Sequence, residues 1–473
     1  MGLSVVILAA GQGKRMNSDL PKVLQPLAGR PLLGHVLATA QALNADRTIV
    51  VYGHGGDQVQ AAFKDDSLLW ALQASQLGTG HALMQAMGQI PDGDTLLVLY
   101  GDVPLIGQQT LSELATLSNA ETLALLSVRL ADPSGYGRVL RDNSGQVYRI
   151  VEHKDANRKE ALVNECNTGF MAAPSALMRR WLTELKNDNA QGEYYLTDVI
   201  ALAVKDRVAV KAVEASSELE VLGVNDKIQL AQVEAGYRHR QAELLMKQGA
   251  TIIDPSRIDI RGEVSVGKDV QFDVNVVLSG TVKLGNRVQI GAGVILHNVV
   301  IQDDSIIKPY SILENAELGK RAHVGPFARL RPGTTLEEDA HVGNFVELKA
   351  THLGAGSKAN HLTYLGDAVI GKQSNIGAGT ITCNYDGENK WQTEIGDNVF
   401  IGSGNMLVAP IQIGEGATTA AGSTLSKSVE PKSLAIERTD ARQLQNWKRP
   451  KKLSAEEKRD RQAKARLSTK EPQ

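Results

Sequence analysis

ILENAELGKRAHVGPFARLRPGTTLEEDAHVGNFVEL (Ile312–Leu348) carries an aliphatic residue at every sixth position: Ile312, Leu318, Val324, Leu330, Leu336, Val342 and Leu348. The same phase reaches back through Ile306 to Val300. Beyond a slip it continues through Leu296, Ile290, Leu284, Leu278, Phe272, Val266 and Ile260. A later run reads Ile395, Ile401, Leu407, Ile413, Thr419 and Leu425. In a chain that is 42% hydrophobic, nine consecutive apolar rungs from Val300 to Leu348 exceed what composition alone supplies. A hexapeptide period of this kind predicts a parallel β-helix.

Each hexapeptide makes one short flat strand, three strands make a coil, and every sixth side chain points into a narrow prism. A single coil cannot bury those side chains, so stacking supplies the core. Gly follows many rungs, as in Ile290-Gly291, Val324-Gly325, Val342-Gly343, Ile401-Gly402 and Ile413-Gly414. There it supplies positive φ or close backbone approach at the corners. The pattern resembles the left-handed β-helix acyltransferases, an exception to the right-handed crossover rule. That resemblance implies a homotrimer with active sites between neighbouring helices.

The other bounds are ordinary. A length of 473 residues allows two to four domains. A formal charge of −2, with 22% charged residues, argues against nucleic acid as the main partner. Cys166 and Cys383 are the only cysteines, which excludes a disulfide framework and predicts a reducing, cytoplasmic setting. The apolar run Val5–Ala10 lacks a basic leader and is too short for a signal or membrane segment. Residues 441–473 are basic and poor in apolar residues, which predicts a mobile tail.

Residues 1–226 show a different pattern, apolar strands alternating with helical segments. Val5–Leu8, Thr48–Val51 and Leu96–Leu99 read as buried strands and Leu33–Leu43 as a helix. This alternation predicts an α/β domain with a mostly parallel sheet covered by helices. Ligands bind such sheets at the carboxyl ends of strands, where Gly11–Arg15 and Tyr100-Gly101-Asp102 fall. Residues 227–249 read as a helical linker stopped at Gly249, with His239 an exposed helix residue.

The glycine loop lacks the third glycine of a dinucleotide fingerprint and the Gly-Lys-Ser/Thr of a P-loop. Its neighbours are more specific. Leu8-Ala9-Ala10-Gly11-Gln12-Gly13-Lys14-Arg15-Met16 followed by Pro21-Lys22-Val23-Leu24 resembles the opening signature of Rossmann-like sugar-1-phosphate nucleotidyltransferases. Lys14 stands where members often carry Thr. The resemblance implies a backbone cradle for phosphate with Arg15 and Lys22 offsetting its charge, and a uracil edge read by Gln73, Gly78 and Thr79. It implies Mg²⁺ on Asp102 and Asn225. It implies an N-acetylated sugar held by the elements around Tyr136-Gly137-Arg138, Glu152 and Asn167-Thr168-Gly169. UTP would be the co-substrate, and a sugar phosphate oxygen would attack its α-phosphorus without any side-chain nucleophile.

Residues 250–440 carry their own signals. The ladder loses its plain phase between Leu348 and Ile370, and Thr382–Glu394 interrupts it. Functional residues concentrate on such excursions from a rigid scaffold. Arg329–Gly333, Glu347-Leu348-Lys349, Asn360–Asp367 and Thr382–Gly387 with Lys390 resemble the acetyltransferase half of the bifunctional enzymes that make UDP-N-acetylglucosamine for envelope polymers. The resemblance implies His361 as general base toward an amino sugar, an imidazole pKa near ~6.5 suiting that task, with Glu347 orienting it. It implies Arg331, Lys349, Tyr364, Asn375 and Lys390 as binders of glucosamine-1-phosphate. It implies Ala378, Asn384, Tyr385, Ser403, Ala421 and Arg438 as contacts of acetyl-CoA. Cys383 is not needed as a nucleophile when an amine attacks a thioester directly.

Two rival readings remain at this level: a nucleotidyltransferase whose β-helix only oligomerises or binds a regulator, and a scaffold that keeps both folds without catalysis. The His361 constellation speaks against the first, and the phosphate and metal set against the second.

Overall fold

The computed structural model describes residues 2–468. In the N-terminal part the strands run, in spatial order, Ala209–Glu214, Thr122–Arg129, Glu165–Pro174, Thr95–Tyr100, Leu3–Leu8, Arg47–Tyr52 and Leu68–Leu72. Pairing is parallel throughout except at Glu165–Pro174, which is antiparallel to both neighbours. Leu3–Leu8 is central, with Val5, Val6 and Ile7 fully buried, because one apolar cluster covers each face of the sheet. A continuous aliphatic run is what a strand buried on both faces requires. The chain leaves Leu8 toward Arg47–Tyr52 on one side and has Thr95–Tyr100 on the other, which opens a crevice at their carboxyl ends. The first helix spans Leu32–Gln41.

The helix Lys227–Lys247 follows. The Asp226 carboxylate caps it by accepting from the backbone N–H groups of Ile228 (3.0 Å) and Gln229 (2.8 Å). Val233 packs with Met16, Leu27, Leu32, Leu105 and Val224 of the sheet domain, while Ala242 and Leu245 join the core of the β-helix. Glu234 accepts from the Ala28 N–H and Arg240 donates to the Leu105 carbonyl, so one helix is bonded to the sheet domain along its length. His239 is exposed on this helix beside Glu243.

From Thr251 to Ala435 short strands pair in parallel from coil to coil, forming a β-helix of the left-handed hexapeptide class. Its interior holds the column Ile260, Leu278, Leu296, Leu313, Leu330, Leu348 and Leu365, each in register with the next. The column corrects the ladder read from sequence. Val300 is 39% exposed and Ile306 and Ile312 lie off the axis, while Ile301, Ile307 and Leu313 are buried in their place. In each of these pairs both residues are aliphatic, so a six-residue period fits either phase. Sides of five residues, Leu296 to Ile301 and Leu313 to Leu318, decide between them. Further five-residue sides, Leu348 to Leu353 and Leu365 to Ile370, explain the lost phase in that region. Thr382 is buried as a rung, and the inserted loop lies between it and Ile395.

Close approach, rather than positive φ, explains most of the glycines after rungs. At Gly343 a Cβ would lie 1.9 Å from the Asn360 carbonyl oxygen of the next coil. The left-handed corners use other residues, among them Asp269, Arg287, Asp304, Arg321 and Asp339. Arg287 pairs with Asp304 and Arg321 with Asp339 across successive coils. The tail holds a helix, Ala455–Ser468, and no described helix is long and apolar enough to cross a membrane.

Candidate active sites

Two separate clusters of polar side chains stand out, one at the sheet crevice and one on the β-helix. At the crevice a cavity of about 310 Å³ is lined by Leu8, Ala9, Ala10, Gly11, Lys22, Gln73, Gly78, Thr79, Tyr100 and Asp102. The strand Leu3–Leu8 delivers the loop, and a 3₁₀ turn at Lys14–Met16 points Arg15 toward Lys22 and Asn225 across a second cleft. Gly13 adopts φ +61, and a Cβ there would lie 2.7 Å from Lys22 Cβ, so a side chain at this position displaces Lys22. On the far wall the helix Thr79–Ala86 begins at the cavity, and its start is braced by Tyr194, whose N–H meets the Leu77 carbonyl at 2.8 Å. Gln73 is buried, and its Nε2 donates to the Gly78 carbonyl (3.1 Å) and lies 3.1 Å from His81 Nδ1. Its carbonyl oxygen is thereby left for a ligand donor.

Below this cavity Asp102, Asn225 and Lys22 converge. The Lys22 ammonium pairs with the Asp102 carboxylate and lies 3.3 Å from Asn225 Oδ1. Asp102 follows the strand Thr95–Tyr100 and the following Gly101. Asn225 is fixed just before the linker helix, its N–H donating to Gln229 Oε1 at 2.8 Å. An adjoining cleft of about 300 Å³ is lined by Arg15, Tyr100, Asp102, Ser134, Tyr136, Thr168, Gly223, Asn225 and Gln229. Burial pushes the Tyr100 hydroxyl far up, and Glu152 and Asp102 add to the shift. Burial likewise raises the Glu152 carboxyl, against a hydrogen bond from Thr197 at 3.0 Å that lowers it. Glu152 lies beneath Gly137, and the Asn167 N–H donates to the Gly137 carbonyl at 2.8 Å. Arg138, in contrast, is 1% exposed and bonds the carbonyls of Tyr136 and Ala161, so it holds this wall from behind.

On the β-helix, Arg331, Lys349, Tyr364, Asn384 and Lys390 come together around Asp367. The Asp367 carboxylate lies 3.5 Å from Lys349 Nζ and accepts from the Asn384 amide. Lys349 crowds Lys390 and holds its ammonium below the ordinary lysine value. Crowded cations of this kind favour an anion. Gly366 makes room for the group: a Cβ there would lie 2.3 Å from the Tyr364 hydroxyl oxygen and 2.8 Å from Asn384 Nδ2. The inserted loop is closed by Trp391, which donates to Asp386 at 2.6 Å, and by the Tyr385–Lys390 bridge. Glu347 does not meet His361. It pairs with Arg331 at 2.9 Å, because it sits past the corner in register with Tyr364, whereas Asn344 is the register partner of His361. His361 Nδ1 lies 3.2 Å from Asn344 Oδ1.

The corner at His361 continues up the coil as a column. Pairings of Lys358 with Asn375, Asn375 with Phe400 and Phe400 with Thr418 put His361, Ala378, Ser403 and Ala421 one above another. Coils are spaced about 4.8 Å apart, so the column is a narrow track of small residues about 15 Å long that starts at the imidazole. Asn375 is not with the cations. It lies on the face before the corner, between Lys358 and Phe400, while Arg331, Lys349 and Tyr364 lie after it. Arg438 is exposed beyond the last strand. Beside the column, Tyr310, Phe327 and Phe345 stack face to face, with centroid distances of 5.3 Å and 5.5 Å, and are about half exposed.

Comparison with known proteins covers both parts of the chain. Residues 5–188 match the model of the MobA-like NTP transferase domain, 260–346 the GMPPB C-terminal domain, and 392–427 the bacterial transferase hexapeptide (six repeats). The chain is 54% identical over 96% of its length to the whole of the "Bifunctional protein GlmU" of Aromatoleum aromaticum. It is 52% identical over 95% of its length to that of Nitrosospira multiformis, covering 98% of that protein. It is 51% identical over 96% to that of Acinetobacter baylyi, covering all of it. The chain belongs to the GlmU family. It is accordingly a bifunctional transferase, a nucleotidyltransferase and acetyltransferase in one polypeptide, and the non-catalytic readings are set aside.

Several residues of this GlmU-family chain were not picked out from sequence. Gln229 lines the sugar-side cleft and Glu193 the nucleotide side, yet each is a lone polar residue in a helical or loop context. Asn344 stands in no motif that a single sequence marks, and Asp367 closes the stretch Asn360–Asp367 without a role read for it there. The signal that finds them is register: each lies one coil from a residue already suspected.

Proposed function

We propose that the sheet crevice transfers uridylyl from UTP to N-acetylglucosamine-1-phosphate, and that the β-helix corner acetylates glucosamine-1-phosphate with acetyl-CoA. The single observation that carries this reading is the corner itself: an imidazole at the foot of a track of small residues, next to a crowded cation cluster.

In the acetyl transfer the amine nitrogen attacks the thioester carbonyl while His361 takes its proton, the C–S bond breaks, and the imidazolium returns that proton to the departing thiolate, releasing the CoA thiol. The sugar phosphate rests on Arg331, Lys349 and Lys390, with Tyr364 and Asn384 beside the reacting carbon. The pantetheine arm follows Ala378, Ser403 and Ala421, and Tyr385 and Arg438 complete its contacts.

In the uridylyl transfer a phosphate oxygen attacks the UTP α-phosphorus in line and pyrophosphate leaves. Gly11–Arg15 and Lys22 hold the phosphates, and Gln73, Gly78 and Thr79 hold the uracil. Glu152 and Asn167 grip the sugar. The Asp102 carboxylate and Asn225 amide oxygen are the hard oxygen donors that suit Mg²⁺. When bound there, Mg²⁺ supplies charge neutralisation between two polyanions. Lys22, which holds these oxygens in its place, turns to phosphate.

We infer a cytoplasmic homotrimer. The split of Asn375 from Arg331 and Lys349 across one prism corner, with exposed aromatics along that corner, supports a second copy completing the site.

The deciding experiment mixes the protein with acetyl-CoA and glucosamine-1-phosphate, without UTP. Thiol release that depends on the amino sugar is expected. Its absence, with Mg²⁺-dependent pyrophosphate release intact, returns the β-helix to a scaffold.

A further inference from the structure

His361 carries a hydrogen-bond partner that the reaction scheme has not used. Its Nδ1 lies 3.2 Å from Asn344 Oδ1, and the two residues are directly opposed on the adjacent strands His341–Lys349 and Lys358–Gly366. The His361 backbone is pinned as well, since its carbonyl accepts from the Thr363 hydroxyl at 2.7 Å. An amide oxygen only accepts, so this contact requires a proton on Nδ1. A neutral imidazole has one N–H, and the lone pair is then on Nε2. The carboxylate next in reach along the strand, Glu347, is engaged by Arg331 and faces the next side of the prism.

Resting on the assignment of His361 as the base, we propose that Asn344 is a positioning residue for acetyl transfer. Its side-chain oxygen fixes the Nδ1–H tautomer and the ring plane of His361, and so presents Nε2 to the amine. A neutral amide in this role orients the ring without adding charge, and a carboxylate there would likewise accept from Nδ1–H and stabilise the imidazolium that forms on proton transfer. The sign of the contact is open to test because amide N and O differ only in chemistry: were the Asn344 amide turned, its NH₂ would demand the opposite tautomer.

The test pairs two near-isosteric variants at this half-buried position. Asn344→Leu removes the acceptor, and Asn344→Asp keeps an acceptor and removes the donor. Asn344→Leu is expected to lose about 10- to 100-fold in kcat for acetyl transfer, the range for groups that orient another ligand or base, with KM for both substrates little changed. Asn344→Asp is expected to stay well above Asn344→Leu. Imidazole ¹⁵N spectra should show Nδ1–H alone in the parent and a mixture in Asn344→Leu. Uridylyl transfer should be unchanged in both, which reports an intact fold, and Asn344→Ala replaces Asn344→Leu if that variant does not fold. Full activity in the Leu or Ala variant, or an Asp variant as impaired as the Leu variant, overturns the proposal. His361→Ala run in parallel separates the two levels: if it retains acetyl transfer, the assignment of the base fails instead.

Discussion

Asn384, on the inserted loop, donates its side-chain amide to the carboxylate of Asp367, on the coil below. The same carboxylate oxygen lies 3.5 Å from Lys349 Nζ, and the Asp367 backbone N–H bonds the Lys349 carbonyl at 2.9 Å. One acid thus sets the distance between the phosphate-binding cation and the loop. Asp367→Ala should therefore raise KM for glucosamine-1-phosphate and lower kcat for acetyl transfer, together by 10-fold or more, while uridylyl transfer stays at the parent rate. Steady-state assays of the two half-reactions check this, and an Asp367→Ala protein with normal acetyl transfer would show that the loop needs no such tether.

Gly366 tests the same site by volume. A methyl there overlaps the Tyr364 hydroxyl and the Asn384 amide, and both are ends of side chains that can swing away. The expected cost is to geometry more than to stability: Gly366→Ala should fold and keep its thermal transition within a few degrees. Its acetyl transfer should fall about 100-fold, the scale of a 1 Å misplacement. Measuring kcat alongside the unfolding temperature distinguishes this from simple destabilisation.

These two predictions rest on Asp367 and Gly366, which end the stretch Asn360–Asp367 but to which the sequence assigns no role, and the reason is physical. The strands of the sheet domain were legible because burial on both faces leaves an unbroken aliphatic run, as at Val5–Leu8. The β-helix was legible because every coil must fill the same prism. Its phase was misread at Val300, Ile306 and Ile312 because a second aliphatic residue follows each and a five-residue side is invisible to a six-residue period. The corners were misassigned to glycine in part, since Asp and Arg in the left-handed conformation can bond to the next coil, as Arg321 does to Asp339. The resemblance paired Glu347 with His361, and only register reveals Asn344.

Asp102 and Lys22 give a prediction about charge. In the structure Lys22 neutralises Asp102. Asp102→Ala leaves Lys22 beside Asn225 alone and removes the stronger oxygen donor. Uridylyl transfer should drop by at least 1,000-fold, on the order expected when electrostatic stabilisation of phosphoryl transfer is lost, and extra Mg²⁺ should not restore it. Acetyl transfer should be untouched, because the β-helix site shares no residue with the crevice. Loss of both activities with the fold intact would contradict independent sites.

Glu220 offers a stability test with a defined sign. It is 8% exposed and accepts from four donors: the Thr110 hydroxyl at 2.6 Å, the Gly107 N–H at 3.1 Å, and the Ser216 hydroxyl at 2.6 Å and N–H at 3.0 Å. Burial pushes its carboxyl up, but these bonds outweigh burial and hold it below the ordinary value. A depressed folded-state pKa means the unfolded chain binds more protons in acid. The contribution is therefore fully present above the unfolded pKa of about 4.3 and fades as pH falls through the folded value. Glu220→Gln places an NH₂ against donors and should cost about 1–3 kcal/mol at pH 7. The gap between parent and variant, read as the unfolding transition of the sheet domain, should narrow below roughly pH 4. Since Glu220 anchors the segment that leads to Gly223 and Asn225, Glu220→Gln should also weaken uridylyl transfer while leaving acetyl transfer alone. A gap that persists unchanged at low pH would mean that packing, not the ionised carboxylate, holds that segment in place.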